Sequence, residues 1–280
     1  MGFLQAIILA IVQGATEFLP VSSSGHLRLM AALLGWDELP PEYFDYVIVL
    51  HFATLVAVVA YYRWDLVAIA RGIFFPASEK EAASLPGNTS PRYLALLIII
   101  SALPAGVVGF RWKDSIKALF DEAGVAPVGV ALLITAAALF IADRMKGKLA
   151  PDRLAWYDAL LIGVAQAVAI MPGISRSGAT IAAGLWRGLS QQWAPRFAFL
   201  MSIPPIAGAF GMALADLRGG DWAAQWPCYL CGFVVSAVVG YGSIYAVIRT
   251  VQQGRLFVRF GIYCLVLGSA SLVAGWIGWV

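Results

Sequence analysis

The chain has 280 residues, of which 61% are hydrophobic and 12% charged, and its formal net charge is +3. Soluble domains are about 45–50% apolar and about 25% charged, so this composition excludes an ordinary soluble protein. It predicts an all-α, polytopic membrane protein, with residues 1–280 forming a single membrane domain.

The first apolar segment, residues 3–35, is interrupted by the polar run VSSSGH at Val21–His26, which follows Pro20. Crossing a bilayer core takes roughly 20 consecutive apolar residues, and neither side of the run supplies them. A broken helix is tolerated at membrane depth where protein or water covers the loop. We therefore predict two half-length helices that form a re-entrant hairpin.

This hairpin carries the first candidate site residues. Gln13 and Glu17 are four residues apart, so they share one helix face. A carboxylate in an apolar helix costs about 2.5–3.5 kcal/mol and marks a functional candidate, with a structural hydrogen bond as the alternative. The polar run offers hydroxyls and backbone N–H groups at the start of a half-helix, which is typical of an anion site; it could equally satisfy only its own backbone. Its candidate ligands are Ser22, Ser23, Ser24, Gly25 and His26.

Six further segments are long and apolar enough to span the membrane: residues 44–62, 93–110, 125–142, 197–215, 227–248 and 257–279. His51 lies in the first of them. We interpret it as a hydrogen-bonded core residue, with a cavity-lining role as the alternative.

Residues 155–188 form the second interrupted segment, which we also predict to be a re-entrant hairpin. Its loop adds Arg176, whose planar guanidinium matches phosphate oxygens. A guanidinium in an apolar hairpin requires a partner, which is either Glu17 or an anionic ligand, and both can hold at once. The other candidate ligands in this loop are Gly173, Ser175, Ser177, Gly178 and Thr180.

The two hairpins are related by an internal repeat, over residues 1–150 and 153–280. At a constant offset of 153 positions Gln13 matches Gln166, and the other identities are Ser22 with Ser175, Ser24 with Ser177, and Gly25 with Gly178. Three spans follow each hairpin, so the second half enters the membrane in the opposite orientation. The predicted fold is therefore an inverted-topology repeat of six transmembrane helices and two re-entrant hairpins.

The distribution of Lys and Arg predicts the orientation. Thirteen lie on the side that carries the loops 63–92, 144–154 and 249–256, the base of the second hairpin with Arg187 and Arg196, and Arg259, and five lie on the other side. We therefore expect the basic loops in the cytoplasm, and both termini and the first hairpin outside. This asymmetry explains the net charge, so no nucleic-acid partner is implied. Within the basic side, the stretch Pro76–Pro91 is expected to be a mobile segment.

The motifs QGATEFLPVSSSGHL and MPGISRSGATI resemble those of the bacterial undecaprenyl-diphosphate phosphatases, the bacitracin-resistance family. The resemblance covers the full length. It implies an inner-membrane hydrolase that removes the terminal phosphate of a C55 isoprenyl diphosphate lipid with a divalent cation, Mg²⁺ or Ca²⁺, at a periplasmic site. Membrane lipid is the other expected partner, and whether the protein forms a homodimer is left open.

Carried onto this chain, the resemblance gives catalytic roles to Glu17, Ser23, His26 and Arg176, and substrate contacts to the remaining loop residues named above. Gln13 replaces a Glu that many members have, so Glu17 is the principal metal ligand and Gln13 a weak one. The nucleophile stays open between Ser23, His26 and water. A lipid-carrier transporter or flippase is the main alternative, because inverted repeats with broken helices are typical of transporters.

Overall fold

The computed structural model describes residues 2–36, 43–75, 89–122, 124–145, 147–216, 222–252 and 256–278. These residues contain no β-strand apart from an isolated bridge between Leu149 and Leu189. Their α-helices, in chain order, are α1 (Phe3–Phe18), α2 (Ser23–Leu33), α3 (Tyr43–Tyr61), α4 (Arg63–Phe74), α5 (Pro91–Arg111), α6 (Lys113–Glu122), α7 (Val125–Asp143), α8 (Trp156–Val168), α9 (Arg176–Trp186), α10 (Trp193–Asp216), α11 (Trp222–Gln252) and α12 (Leu256–Trp276).

Among the described helices, five are long and apolar enough to cross a membrane, namely α3, α5, α7, α11 and α12. Together with the composition, they make the chain an all-α, polytopic membrane protein, as predicted. The sixth predicted span, residues 197–215, lies within α10, which is continuous and contains Pro204 and Pro205. It is not one of the five helices that satisfy both length and hydropathy.

Both interrupted segments are broken helices, as predicted. α1 ends at Phe18, just before Pro20, and α8 ends at Val168, before the loop that contains Pro172. The helices on either side of the breaks have 16 and 11 residues in the first segment and 13 and 11 in the second. Each is shorter than the roughly 20 residues that cross a bilayer core.

The first part of the predicted loop 63–92 is a correction, because residues 63–74 form the helix α4. Asp65, Ala68, Ile69 and Gly72 are buried at helical spacing along one face. Gly72 lies against Pro91, where a Cβ atom would come within 2.7 Å of the proline side chain. The expectation of a mobile segment at Pro76–Pro91 falls mainly on residues 76–88, which lie outside the described residues.

The two halves of the sequence are packed into one another. α1 lies along α11 of the second half, and α8 of the second half lies along α5 of the first. α7 packs against α12, and α3 packs against both α10 and α11. Glycines permit the close approaches, which are typical of membrane helices: a Cβ atom on Gly163 would lie 2.4 Å from the Ser101 carbonyl oxygen.

Two ion pairs join the ends of helices, and the helix ends that they join are here termed the ion-pair end. Arg196 makes a two-pronged contact with Asp65, at 2.7 Å from Nε and 2.5 Å from Nη2. Arg187 Nε donates to Asp158 Oδ1 at 2.6 Å. These contacts bring together segments that the sequence assigns to one side of the membrane. Four basic residues of the orientation argument lie outside the described residues: Lys80, Lys146, Arg218 and Arg255.

Replacing Gly163 with alanine is expected to separate α5 from α8, because the new methyl group would collide with the Ser101 backbone. Overpacking of this kind costs about 1–3 kcal/mol, so the apparent melting temperature in detergent should fall. Gly106→Ala on α5 is the matched control, since a Cβ atom there meets nothing within 4 Å. Equal melting temperatures for the two variants would contradict this account of the packing.

Candidate active site

The two repeated loops are in direct contact. The Gly173 N–H donates to Ser24 Oγ at 3.2 Å, and the Ser177 hydroxyl donates to the Leu19 carbonyl at 2.9 Å. A Cβ atom on Gly25 would lie 3.3 Å from Gly173 Cα, so the backbones themselves approach closely. Any site at this junction is therefore built from both halves of the chain.

Glu17 is the centre of the polar residues at this junction, and its side chain is only 3% exposed. Arg176 Nη2 donates to Glu17 Oε1, which forms an ion pair across the two loops. The other carboxylate oxygen, Oε2, accepts from Gln13 Nε2 at 2.9 Å and from the Ser23 hydroxyl at 2.5 Å. Four predicted residues are thus brought together: Glu17, Gln13, Ser23 and Arg176.

The two loops also direct helix N-termini into the same region. Ser23 is the first residue of α2, and Arg176 is the first residue of α9. A helix N-terminus carries a partial positive charge and unpaired N–H groups. With the guanidinium added, the positive groups here exceed the single carboxylate, which makes the junction suited to an anion.

Most other predicted ligands use their side chains to build the loops. Ser22 and Ser175 cap their helices by accepting from the N–H groups of Gly25 and Gly178, at 3.2 and 3.1 Å. Thr180 Oγ1 donates to the Arg176 carbonyl at 2.8 Å. The hydroxyl oxygens of Ser22 and Ser24 lie 3.4 Å apart, and those of Ser175 and Ser177 lie 3.2 Å apart. These side chains shape the site, while Ser23 and Arg176 reach Glu17.

His51 belongs to this junction, although the sequence favoured a purely structural role. Its Nδ1 lies 2.8 Å from the Val47 carbonyl oxygen, which is the core hydrogen bond that was expected. Its Nε2, however, lies 3.7 Å from Glu17 Oε2. The signal in the sequence was its rarity, since the chain has only two histidines and one of them lies within an apolar span.

His26, in contrast, is held away from the carboxylate. Its Nδ1 lies 2.7 Å from the Ser22 carbonyl oxygen, and its Nε2 lies 2.7 Å from the hydroxyl of Tyr263. Within the described residues, no hydrogen bond or ion pair joins His26 to Glu17. Tyr263, which lies on α12, is a contact that the sequence analysis did not foresee.

The donor set around Glu17 fits a divalent cation with few protein ligands. Gln13 Oε1 is buried and has no hydrogen-bond partner, although its amide nitrogen is bonded to Glu17. A carboxylate oxygen, an amide oxygen and an imidazole nitrogen thus lie close together in Glu17, Gln13 and His51. In the part of the chain that the structure describes, no group of three or more His, Cys, Asp or Glu residues forms a larger cluster. Such a site would rely on substrate phosphates for further ligands.

Comparison with known proteins supports the family resemblance of the two motifs, and the match extends over nearly the whole chain. Residues 6–270 match the family model described as bacitracin resistance protein BacA. The undecaprenyl-diphosphatase of Desulfosudis oleivorans is 41% identical over 286 residues, with 98% of both chains covered. The protein of the same name from Christiangramia forsetii is 39% identical, and undecaprenyl-diphosphatase 2 of Stutzerimonas stutzeri is 38% identical, again with 98% of both chains covered.

Removing Arg176 is expected to destabilise the protein strongly, because Glu17 would remain buried without its counter-charge. Breaking a buried pair in this way costs about 3–5 kcal/mol, and Glu17→Gln should restore part of the loss when combined with Arg176→Ala. Thermal unfolding in detergent measures both effects. Arg153→Ala is the control, since the Arg153 side chain is 76% exposed in its own ion pair. An equal loss in Arg153→Ala and Arg176→Ala would contradict the burial argument.

Proposed function

Because this chain belongs to the bacitracin resistance protein BacA family, we infer that it is an undecaprenyl-diphosphatase of the membrane. The reaction converts undecaprenyl diphosphate to undecaprenyl phosphate and inorganic phosphate, which returns the lipid carrier to cell-wall synthesis. Curated relatives that are 35–41% identical over nearly the full length carry this name.

Within the site, the inference rests on one structural observation. Arg176 of the second loop is paired with Glu17, and the hydroxyl of Ser23 is bonded to the same carboxylate. A binding site for transport needs positive charge, but it does not need a hydroxyl bonded to a buried carboxylate. The names of the relatives likewise favour a hydrolase over the transporter or flippase alternative.

We propose that the protein has the inverted six-span topology, in the bacterial inner membrane, with α1–α2 and α8–α9 as re-entrant hairpins. The reciprocal packing of α1 on α11 and of α8 on α5 supports this arrangement. Since cytoplasmic loops are enriched in Lys and Arg, the ion-pair end would face the cytoplasm. The site and both termini would then face the periplasm.

In the proposed mechanism Ser23 attacks the terminal phosphorus. Its hydroxyl already donates to Glu17 Oε2 at 2.5 Å, so the carboxylate can accept the proton as the oxygen attacks. The bond from the terminal phosphorus to the bridging oxygen breaks, undecaprenyl phosphate leaves, and water then hydrolyses the phosphoserine. Arg176 balances the charge on the transferring phosphoryl group. Direct attack by a water that Glu17 activates is the second route.

The proposal includes a divalent cation, Mg²⁺ or Ca²⁺. Glu17 would be its principal ligand, and Gln13 Oε1 and His51 Nε2 are the other candidates, since the first has no partner and the second lies 3.7 Å from the carboxylate. When bound, such an ion supplies positive charge to the phosphate oxygens.

The central test is phosphate release from undecaprenyl diphosphate by the purified protein in detergent, with and without chelator. Arg176→Ala and Glu17→Ala should each lower kcat at least about 100-fold, because each removes charge stabilisation or proton transfer from the transition state. Arg63→Ala is the matched control, since Arg63 is exposed on α4. No release by the unmodified protein would refute the hydrolase, and undiminished release by both site variants would refute the assigned site.

Gln13→Glu tests the cation. A second carboxylate beside Glu17 should tighten binding of a divalent ion, and we expect its dissociation constant to fall about tenfold, which corresponds to about 1.4 kcal/mol. Binding of Mn²⁺, followed by electron paramagnetic resonance, measures this independently of turnover. Gln166→Glu places the same change at the repeat counterpart of Gln13 and should leave the affinity unchanged. Unchanged affinity in Gln13→Glu would count against Glu17 and Gln13 as ligands.

A further inference from the structure

His26 contacts the carbonyl oxygen of a residue that has an unusual backbone conformation. Ser22 has a φ of 71°, and among the described residues it is the only non-glycine with a positive φ. Such a conformation is costly and occurs mainly where the surrounding structure enforces it. The Ser22 carbonyl accepts from the His26 N–H at 3.1 Å and lies 2.7 Å from its Nδ1.

This contact determines which ring nitrogen carries the hydrogen. A carbonyl oxygen only accepts hydrogen bonds, so Nδ1 of His26 is the donor. In the neutral ring Nε2 is therefore the unprotonated nitrogen and an acceptor. It is also the one ring nitrogen left to meet a substrate or to exchange a proton.

The hydroxyl group of Tyr263 contacts that nitrogen. Its hydroxyl lies 2.7 Å from His26 Nε2, and the two rings are nearly parallel, with an interplanar angle of 8° and centroids 5.6 Å apart. The next residue, Cys264, is fully buried with its sulfur 3.7 Å from the Pro20 carbonyl oxygen, which holds this turn of α12 against the first loop. Tyr263 itself is 45% exposed, so this contact is not enclosed in the protein core.

We propose that Tyr263 is a positioning residue for His26: it holds the imidazole with Nε2 as an acceptor and yields that nitrogen when the diphosphate binds. This role rests on the proposed function. The hydroxyl group keeps the imidazole ring oriented before the substrate arrives, and the stacked ring limits its rotation. His26 thereby presents Nε2 as an acceptor for a proton during turnover, separately from Glu17, which accepts from the hydroxyl of Ser23.

A double-mutant cycle tests the proposal. Tyr263→Phe keeps the stacked ring and removes only the hydroxyl, so kcat should fall about tenfold while KM stays within about twofold. In a His26→Gln background the same change should have less than about a twofold effect, because the residue acts through the imidazole. Tyr241→Phe is the matched control: Tyr241 has similar exposure on α11 and its ring lies against that of Tyr61 at a tilt of 57°, and loss of its hydroxyl should leave activity unchanged.

Nitrogen NMR of ¹⁵N-histidine-labelled protein provides the second readout. The chain has two histidines, so His26→Gln assigns the spectrum. Tyr263→Phe should shift the Nε2 resonance of His26 and leave those of His51 in place. Suppose that the unmodified protein is active. Full activity of Tyr263→Phe, an equal loss of kcat in the wild-type and His26→Gln backgrounds, or an unshifted Nε2 resonance would then each overturn the positioning role alone. An inactive unmodified protein would overturn the proposed function as well.

Discussion

The ion pair between Glu17 and Arg176 is the constraint on which the rest of the structure depends. A carboxylate and a guanidinium are both costly in an apolar helical bundle, and each is tolerable here because the other lies against it. Their contact requires that the two helix breaks meet, and in the structure they meet where α1 packs on α11 and α8 packs on α5. The intertwined architecture is therefore the means by which one half supplies the negative partner and the other half supplies the positive one.

The repeat divides its residues between construction and chemistry. Two of the residues that are identical in the two copies make equivalent local bonds: Ser22 and Ser175 each accept from the glycine three positions later. Two of the residues that differ make contacts that the other copy cannot: Ser23, opposite Arg176, donates to Glu17, and His26, opposite Ala179, lies against Tyr263 of α12. A pair of equal loops would form a symmetric polar junction, and the substitutions convert it into a site with the proposed nucleophile on one side and the proposed anion-binding guanidinium on the other.

Local features of the structure were predictable from the sequence, and contacts between distant segments were not. Pro20 and the Ser-Gly runs located both helix breaks, and the isolated charges at Glu17 and Arg176 indicated a pair. The loop serines are predicted to bind substrate, and what the sequence did not indicate is that Ser22 and Ser175 also cap their own helices. The contacts of His51 with Glu17 and of Tyr263 with His26 depend on how α3 and α12 are rotated against the first hairpin, which no local pattern encodes. The helix α4 was missed because its charged residues suggested a loop, although its buried face has helical spacing.

The separation of the ion-pair partners along the chain has a consequence for biogenesis. Glu17 precedes Arg176 by 159 positions, so at about 5–20 residues per second the carboxylate is synthesised about 8–32 seconds before its counter-charge. During that interval its hydrogen-bonding partners within the nascent first hairpin are Gln13 and Ser23, which are neutral. The first hairpin therefore has to enter the bilayer with a protonated or locally hydrogen-bonded Glu17, and it acquires its final electrostatics only when the second hairpin has been inserted.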